Sequence, residues 1–370
     1  MDFEFSEEQY LVRESVRAFL ADHWTTARLR TAAAKFLPEL WNGLVELGLQ
    51  TLLVPEAHGG VGLGFTDLVM VLEEFGRALV PGPIVDTILV SEVIARFGSE
   101  HQRSMLLPSI ISGRMRIAFA HAEPGTGHTL DKPRTRATRH GATWRISGRK
   151  IVVPAADAAT MVAVSARTDD GASSLFLCDA RAGGVAVSRH QGIDPHSMLC
   201  RIAFSDAEAE PLGADGSGAL ARLFETSAIA AAAQMAGIAG AALDLAVAYA
   251  KQRTQFGQPI GSFQAIKHRC ADMLLAVETA CTAAYHAAWA ADQDEATLRF
   301  AASMAKAFCG DACRNICNSA LQIHGGVGFT QEFDVHLYLK RGKVLEYAFG
   351  DAAWHRERVA SVVLPRQLVA

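Results

Sequence analysis

Apolar positions run at helical spacing through the first 112 residues. Ser6 precedes Glu7 and Glu8, and then Tyr10, Leu11, Val16, Phe19 and Leu20 mark one face of a helix. The pattern repeats over Leu37–Leu49, with Trp41 and Leu44 on one side and Gly48 near the stop. It repeats again over Leu68–Leu79, where Glu73 and Glu74 are expected to turn outward. Pro55–Gly64 reads as a loop. Pro81-Gly82-Pro83 ends the third helix, because proline lacks the N–H that a helix interior needs. Ile84–Phe97 and Glu100–Ile111 complete the set.

At Gly113 the period shortens to alternation. Arg116–Ala120, Thr143–Ile146, Lys150–Val153, Met161–Ser165, Ser174–Cys178, Val185–Ser188 and Arg201–Phe204 read as short strands, separated by turn residues such as Gly141, Asp169-Asp170-Gly171 and Gly183-Gly184. Asp206–Gly218 is polar and glycine-rich and reads as a boundary. From Ala219 the helical period returns over Ala219–Arg253, Ser262–Ala291, Asp294–Leu321 and Asp334–Val359. The expected fold is α+β, mostly α: an N-terminal helical domain (1–112), a middle antiparallel β-barrel or sandwich (113–208) and a C-terminal four-helix bundle (209–370).

Composition narrows the class. Of 370 residues, 50% are apolar and 20% charged, an ordinary balance for a globular protein with a large core. The net charge of −4 gives no reason to expect nucleic acid or an anionic membrane as partner. The start, Met1 to Glu8, is acidic and has neither the basic nor the apolar region of a secretory signal, so a cytoplasmic location is expected. Ala228–Ala250 is long and weakly polar, but it is mostly alanine and carries Gln234 and Asp244; it reads as a close-packed helix, not a membrane span. The seven cysteines show no short paired spacing, which fits a reducing compartment. Cys309, Cys313 and Cys317 recur every four residues without a Cys-x-x-Cys or a His pair beside them, and read as small buried helix residues, not a metal site.

Two stretches carry candidate chemistry. Gln322-Ile323-His324-Gly325-Gly326-Val327-Gly328-Phe329 ends a helical pattern that begins near Glu295. Its glycines stop the helix and leave backbone bare for close approach. Arg253-Thr254-Gln255-Phe256-Gly257-Gln258-Pro259-Ile260-Gly261 closes the first bundle helix and opens a Gly/Pro turn. It offers a forked guanidinium, an amide, an aromatic ring and open backbone, groups suited to a pyrophosphate and an adenine. Taken singly, Arg253 reads as a surface ion-pair residue and Phe256 as core.

Together, in this order, the two stretches resemble the acyl-CoA dehydrogenase family, and the resemblance runs nearly the whole length. Pro55-Glu56 with Gly59-Gly60-Val61-Gly62 is similar to the family's early loop. Leu107-Pro108, Ser112-Gly113 and Glu123-Pro124-Gly125 are similar to its passage into the middle domain, and Gly148-Arg149-Lys150 to its second flavin strand. The resemblance implies the same helical, β, helical order and α,β-dehydrogenation of an acyl-CoA thioester. It also implies FAD as cofactor and an electron-transfer flavoprotein or similar acceptor. Each flavin would be shared, one subunit holding the isoalloxazine ring with its middle domain and the neighbour holding the ADP half with its bundle. On that division Arg253 would pair with the pyrophosphate, Gln255 and Phe256 would flank the adenine side, Gln264 would follow on the next helix, and Gln322, Gly325 and Gly326 would complete the wall.

The residues for this chain's own flavin ring depart from the family pattern. The threonine before Glu-Pro is Ala122; the Gly-Ser-Asp that follows is Gly127-His128-Thr129; the Trp-Ile-Thr against the ring is Val152-Val153-Pro154. Proline in place of threonine removes a hydroxyl and a backbone donor. The usual glutamate base, counted from Glu332 through Tyr338 and Lys343, falls on Phe349, before Gly350-Asp351. A second family position near the start of the long bundle helix falls on Ser227, followed by Ala228. Neither side chain takes a carbon-bound proton, and a general base is worth about 10²–10⁴ in rate. Glu346, three residues before Phe349 on roughly the same face of a continuing helix, is the candidate displaced base; Glu225 points well away from position 227.

The expectation is therefore a FAD-dependent acyl-CoA dehydrogenase-family subunit, close to the non-catalytic-type subunits of bacterial heteromeric enzymes that act on bulky acyl-CoAs. It would complete the flavin site of a catalytic partner in a hetero-oligomer. The rivals are an active homomeric dehydrogenase using Glu346, a base-free flavin oxidase or oxygenase of the same superfamily, and a CoA-binding or structural protein.

Overall fold

Ser6 starts the first helix with a capping box: its hydroxyl accepts from the Gln9 N–H while the Gln9 side chain accepts from the Ser6 N–H. The computed structural model describes residues 5–32, 35–130, 132–141, 143–293 and 295–364; residues 1–4 of the acidic start and Asp294 lie outside them. Six helices come first: α1 (Glu7–His23), α2 (Thr26–Thr31), α3 (Pro38–Glu46), α4 (Phe65–Arg77), α5 (Ile84–Phe97) and α6 (Glu100–Ile111). Seven strands follow: β1 (Ile117–Ala120), β2 (Arg136–His140), β3 (Thr143–Pro154), β4 (Met161–Arg167), β5 (Ser173–Asp179), β6 (Val185–Arg189) and β7 (Leu199–Pro211). The chain ends in α7 (Gly216–Gln252), a two-stranded hairpin of β8 (Thr254–Gln255) and β9 (Gln258–Pro259), α8 (Gln264–Gln293), α9 (Glu295–His324), α10 (Val335–Tyr347) and α11 (Ala352–Val363). The helical, sheet, helical order matches the expectation.

Packing forms two units. One comprises Arg30–Gly64 and Pro81–Ser227; the other comprises Met1–Leu29, Phe65–Val80 and Ala228–Ala370. Helix α7 contributes its first part to one and the remainder to the other.

In the sheet-bearing unit, β4, β2, β3, β7 and β5 pair in a closed circuit, with β1 added beside β4 and β6 beside β7. The expected barrel closes, but it is not wholly antiparallel: β1 runs parallel to β4 over Ile117–Ala120, and β2 meets β4 in a parallel pair at Arg136 and Arg167. Phe176, Val162, Val164, Ile146 and Ile202 fill its interior. Strand β2 (Arg-Ala-Thr-Arg-His) went unread because Ala137 is its one apolar inward residue. The segments Thr143–Ile146 and Lys150–Val153, read as separate strands, are one strand with irregularities at Gly148 and after Lys150. Gly148 does not end it; a Cβ there would press into the Thr135 backbone.

In the bundle unit, α8, α10 and α11 all pack on α9, and α4 packs on α8. The alanines of α7 from Ala228 to Ala242 are buried, and a Cβ at Gly237 or Gly76 would collide with the facing carbonyls of Glu73 and Gln234. The small residues of α7 serve this close approach of two helices. Helix α7 is the one described helix long and apolar enough to cross a membrane, and 89% of that apolar window is buried in the protein. Cys309, Cys313 and Cys317 are buried on α9, as expected for small core residues.

Two expectations fail here. Glu73 and Glu74 do not turn outward: both are buried, Glu73 on Arg13 and the Tyr285 hydroxyl, Glu74 on Arg13 and Arg17. Desolvation opposes ionisation of Glu74, but the two guanidiniums outweigh it and hold its carboxyl below the ordinary range. The last predicted helix, Asp334–Val359, is two helices. It breaks after Tyr347, where Phe349 and Gly350 take φ of 57° and 105°; a Cβ at Gly350 would strike Trp354 and His355.

Candidate functional site

The Arg253 stretch folds as the hairpin β8–β9, with Thr254 opposite Pro259 and Gln255 opposite Gln258. Its two turn residues, Phe256 and Gly257, have φ of 51° and 77°, the left-handed pair of a tight hairpin turn. Phenylalanine bears a steric cost there that glycine does not. The turn holds the ring outward: Phe256 is 92% exposed and touches Phe263 edge-on at 6.2 Å. Arg253 is exposed, and its guanidinium has no partner among the described residues; only its backbone bonds, N–H to Tyr249 O and O from Ile260 N–H. Gln255 and Gln264 are exposed as well.

The glycine stretch ends α9 at His324 and continues as a short tight turn over Gly325–Phe329. Gly325, with φ of 66°, turns the chain. Nothing stands within 4 Å of where a Cβ at Gly325 or Gly326 would be, so both backbones face open space. Gln322 is exposed one turn earlier. The two stretches meet through rings: Tyr249, one turn before Arg253, stacks on His324 at 4.5 Å, and Phe333 closes edge-on against both. The structure thus brings the sequence-singled groups Arg253, Gln255, Phe256, Gln322, Gly325 and Gly326 onto one connected, exposed framework.

The base position lies in the break between α10 and α11. Phe349 is outside any helix, so the shared helix face expected for Glu346 and Phe349 does not exist. Glu346 is buried, with Oε1 accepting from Arg314 at 2.5 Å and Oε2 from Lys343 at 2.9 Å. Lys306 organises the break. Its buried ammonium donates to the carbonyl of Glu346 in the last turn of α10 at 2.9 Å and to that of Gly350 in the break at 2.8 Å, satisfying an acceptor that the helix end would leave orphaned and tying the break to it. Burial pushes its pKa down to about 7. Sequence reasoning passed over Lys306; the available signal was a lone cation on an α9 face otherwise made of Ala302, Ala305, Cys309 and Cys313.

The residues on the ring side belong to the sheet-bearing unit. Lys150 points into the interior and donates to Glu123 Oε1 at 2.7 Å, Ser165 Oγ at 2.8 Å and the His121 carbonyl at 3.2 Å. Burial lowers the Lys150 pKa to about 8, with Glu123 opposing. Glu123 also takes the backbone N–H groups of Arg134 and Thr135, which fixes the Glu123-Pro124 corner beside Ala122. Ile151 and Val152 together face Arg201 across β3–β7, a bulge that drives Val152 to φ 56° and leaves it 39% exposed. Ile151 N–H donates to the Ala122 carbonyl at 2.9 Å. Ala122 brings no hydroxyl to this corner and Pro154 no N–H. His121 stacks on Phe119 at 5.1 Å and meets Phe224 edge-on at 5.6 Å. Desolvation, with Lys150 and His128 nearby, pushes its imidazole down to about 3, so it is neutral. On α7, Ser227 is buried with its hydroxyl unbonded among the described residues.

Comparison with known proteins identifies the family. The acyl-CoA dehydrogenase N-terminal, middle and C-terminal domain patterns match residues 6–114, 118–207 and 214–364. The chain is 32% identical to the probable acyl-CoA dehydrogenase YngJ of Bacillus subtilis (strain 168), with 100% of each chain covered. It is similar in structure to a variant of the Tcur3481-Tcur3483 steroid ACAD, with a TM-score of 0.90, 32% identity and 96% and 98% of the two chains covered. It is also similar to the ChsE4-ChsE5 complex from Mycobacterium tuberculosis, with a TM-score of 0.90, 27% identity and 99% and 100% covered. The chain belongs to the acyl-CoA dehydrogenase family, FAD-using oxidoreductases that act on acyl-CoA.

Proposed function

We propose that this chain is an acyl-CoA dehydrogenase subunit whose bundle completes the flavin site of a catalytic partner, while its own ring-side site is degenerate. The observation that carries the reading is a contrast within the one chain. The groups suited to a pyrophosphate are present and open: an Arg253 guanidinium with no partner among the described residues, a 92% exposed Phe256 and bare backbone at Gly325 and Gly326. FAD fits that surface as an ADP half bound from outside. Arg253 would hold the pyrophosphate by charge-assisted hydrogen bonds, Gln255 and Phe256 would flank the adenine, and Gln264, Gln322, Gly325 and Gly326 would line the wall. The ring-side corner fits the cofactor poorly. It lacks a hydroxyl at Ala122 and both a hydroxyl and an N–H at Pro154, and it carries the bulged Val152. Three lost anchors, each worth roughly 0.5–1.5 kcal/mol net, would weaken flavin binding by orders of magnitude.

The chemistry supplied by FAD in the family is hydride removal from the acyl chain, which calls for a base on the adjacent proton. Phe349 and Ser227 offer none, and both oxygens of Glu346 are engaged by Arg314 and Lys343. The base would thus come from the partner. Kinship with structures named as paired chains, ChsE4-ChsE5 and Tcur3481-Tcur3483, supports a hetero-oligomer, and an electron-transfer flavoprotein is the acceptor this reading implies. The deciding measurement is FAD per protomer after purification. Little FAD is expected from the chain expressed alone, and about one per pair with the partner; a stoichiometric yellow protein from solo expression would overturn the reading.

A further inference from the structure

The outer face of β6, β7 and β3 carries two arginines that the flavin reading does not use. Lys150 and Ile202 face each other across β3 and β7, both buried and pointing inward. Alternation therefore places Arg149, Arg201 and Ala203 on the outer face. On β6, Val187 packs against the core, so Ala186 and Ser188 are outward too. Arg149 stands opposite Ala203, Ala203 opposite Ala186, and Arg201 opposite Ser188. The two arginines are thus diagonal neighbours, roughly 7–8 Å apart at Cα.

Neither guanidinium has an ion-pair or hydrogen-bond partner among the described residues. Like charges on neighbouring positions repel, and no carboxylate among the described residues pairs with either. Between them lies an open hollow of about 480 Å³, within the range of small-molecule sites. Ile151, Ala186, Ala203 and Pro124 give it an apolar lining between the arginines.

We propose that this groove binds a phosphorylated purine nucleotide, its phosphate held between Arg149 and Arg201 and its base laid on the apolar lining. A guanidinium forks onto phosphate oxygens, and two that flank one phosphate can share its oxygens between them. The Ser188 hydroxyl supplies a further donor beside Arg201. The surface belongs to the sheet-bearing unit and shares Pro124, Lys150 and Ile151 with the ring-side corner, whereas Arg253 belongs to the other unit, so a failure at Arg253 leaves this inference standing.

The test is calorimetric titration of the full chain with ATP, inorganic pyrophosphate and adenosine. ATP is expected to bind, pyrophosphate more weakly, and adenosine weakest. Arg149→Gln with Arg201→Gln is expected to lower ATP affinity at least tenfold. Ala186→Glu, which sets a carboxylate in an exposed lining position without touching either arginine, should do the same. In an Arg253→Ala background, which removes the pyrophosphate residue of the bundle surface, the groove substitutions should lower ATP affinity by the same factor. Competition by coenzyme A would assign the natural ligand to its nucleotide handle, and lack of competition to a free nucleotide. Absence of ATP binding up to millimolar concentration, or ATP binding lost in Arg253→Ala and kept in the groove variants, would overturn the proposal.

Discussion

Tyr249 lies nearly flat on His324, with centroids 4.5 Å apart and ring planes 22° from parallel. The pair joins the last turn of α7 to the last turn of α9, and so joins the hairpin carrying Arg253 to the turn carrying Gly325 and Gly326. His324 is fixed in turn by its Nδ1 on the Ala320 carbonyl at 2.8 Å. Stacking worth about 0.5–1.5 kcal/mol is a small share of global stability but a large share of what holds two exposed loops in register. Tyr249→Ala is expected to cost about 1–2 kcal/mol overall, and to raise amide exchange in the hairpin and the glycine turn together. Hydrogen exchange resolves this; faster exchange in only one of the two would show that they are not coupled through this pair.

Glu346→Gln separates the structural role of this carboxylate from a catalytic one. The substitution keeps the shape but leaves Arg314 and Lys343 facing a neutral amide. Because those two partners are partly solvated, the loss is expected to be about 1–3 kcal/mol, below that of breaking a dry pair. Turnover of the assembled enzyme per folded complex should be unchanged. Chemical denaturation and steady-state rates together decide it: full stability with abolished turnover would make Glu346 the base.

Much of this was legible in the sequence, and the misses have physical reasons. The helical, β, helical order was written in the change of hydrophobic period at Gly113 and Ala219. The exposed framework was written in two short stretches rich in glycine and polar groups. What the pattern could not carry was tertiary override. Glu73 and Glu74 read as a solvent face because carboxylates usually are; their partners Arg13, Arg17 and Tyr285 lie far away in the chain. The α10–α11 break was hidden because only one glycine marks it, and its other strained residue is a phenylalanine. Burial of Glu346 likewise depended on Arg314 from another helix. Strand β2 is polar enough that its pairing with β3 and β4, not its pattern, defines it.

Asp86 gives a pH-dependent prediction. It sits buried on α5, accepting the Phe119 N–H at 2.9 Å, and burial raises its pKa to about 7 against that hydrogen bond. The unfolded chain loses this proton near pH 4. Between about pH 4 and 7 the folded state therefore binds the extra proton, and stability from this group falls as pH rises, reaching its full penalty above 7. Asp86→Asn keeps an oxygen for Phe119 and cannot ionise. It should stabilise the protein on the order of 2–4 kcal/mol at pH 8, with the gain shrinking to near zero at pH 4. Thermal melts of both proteins across that range check it; a gain independent of pH would mean that the carboxyl does not titrate there.

Arg253→Ala tests the shared site directly. If the bundle contributes one charge-assisted pairing to a partner's pyrophosphate, its removal should cost about 1.5–3 kcal/mol of FAD affinity. That is roughly tenfold to more than a hundredfold in Kd. Stability of the chain itself should hardly change, because the guanidinium is exposed and has no partner to abandon among the described residues. Assembly should survive for the same reason, one exposed arginine being a small part of any bundle interface. Phe256→Ala at the hairpin tip should act in the same direction, since its ring contacts little else in the chain. The measurement mixes variant chain with the catalytic partner, confirms the complex by size, and titrates FAD by fluorescence. Weakened FAD binding in an intact complex places Arg253 on the partner's cofactor. Unchanged affinity would make Arg253 a surface residue and remove the strongest support for a shared site. Loss of the complex itself would instead assign the hairpin to subunit contact.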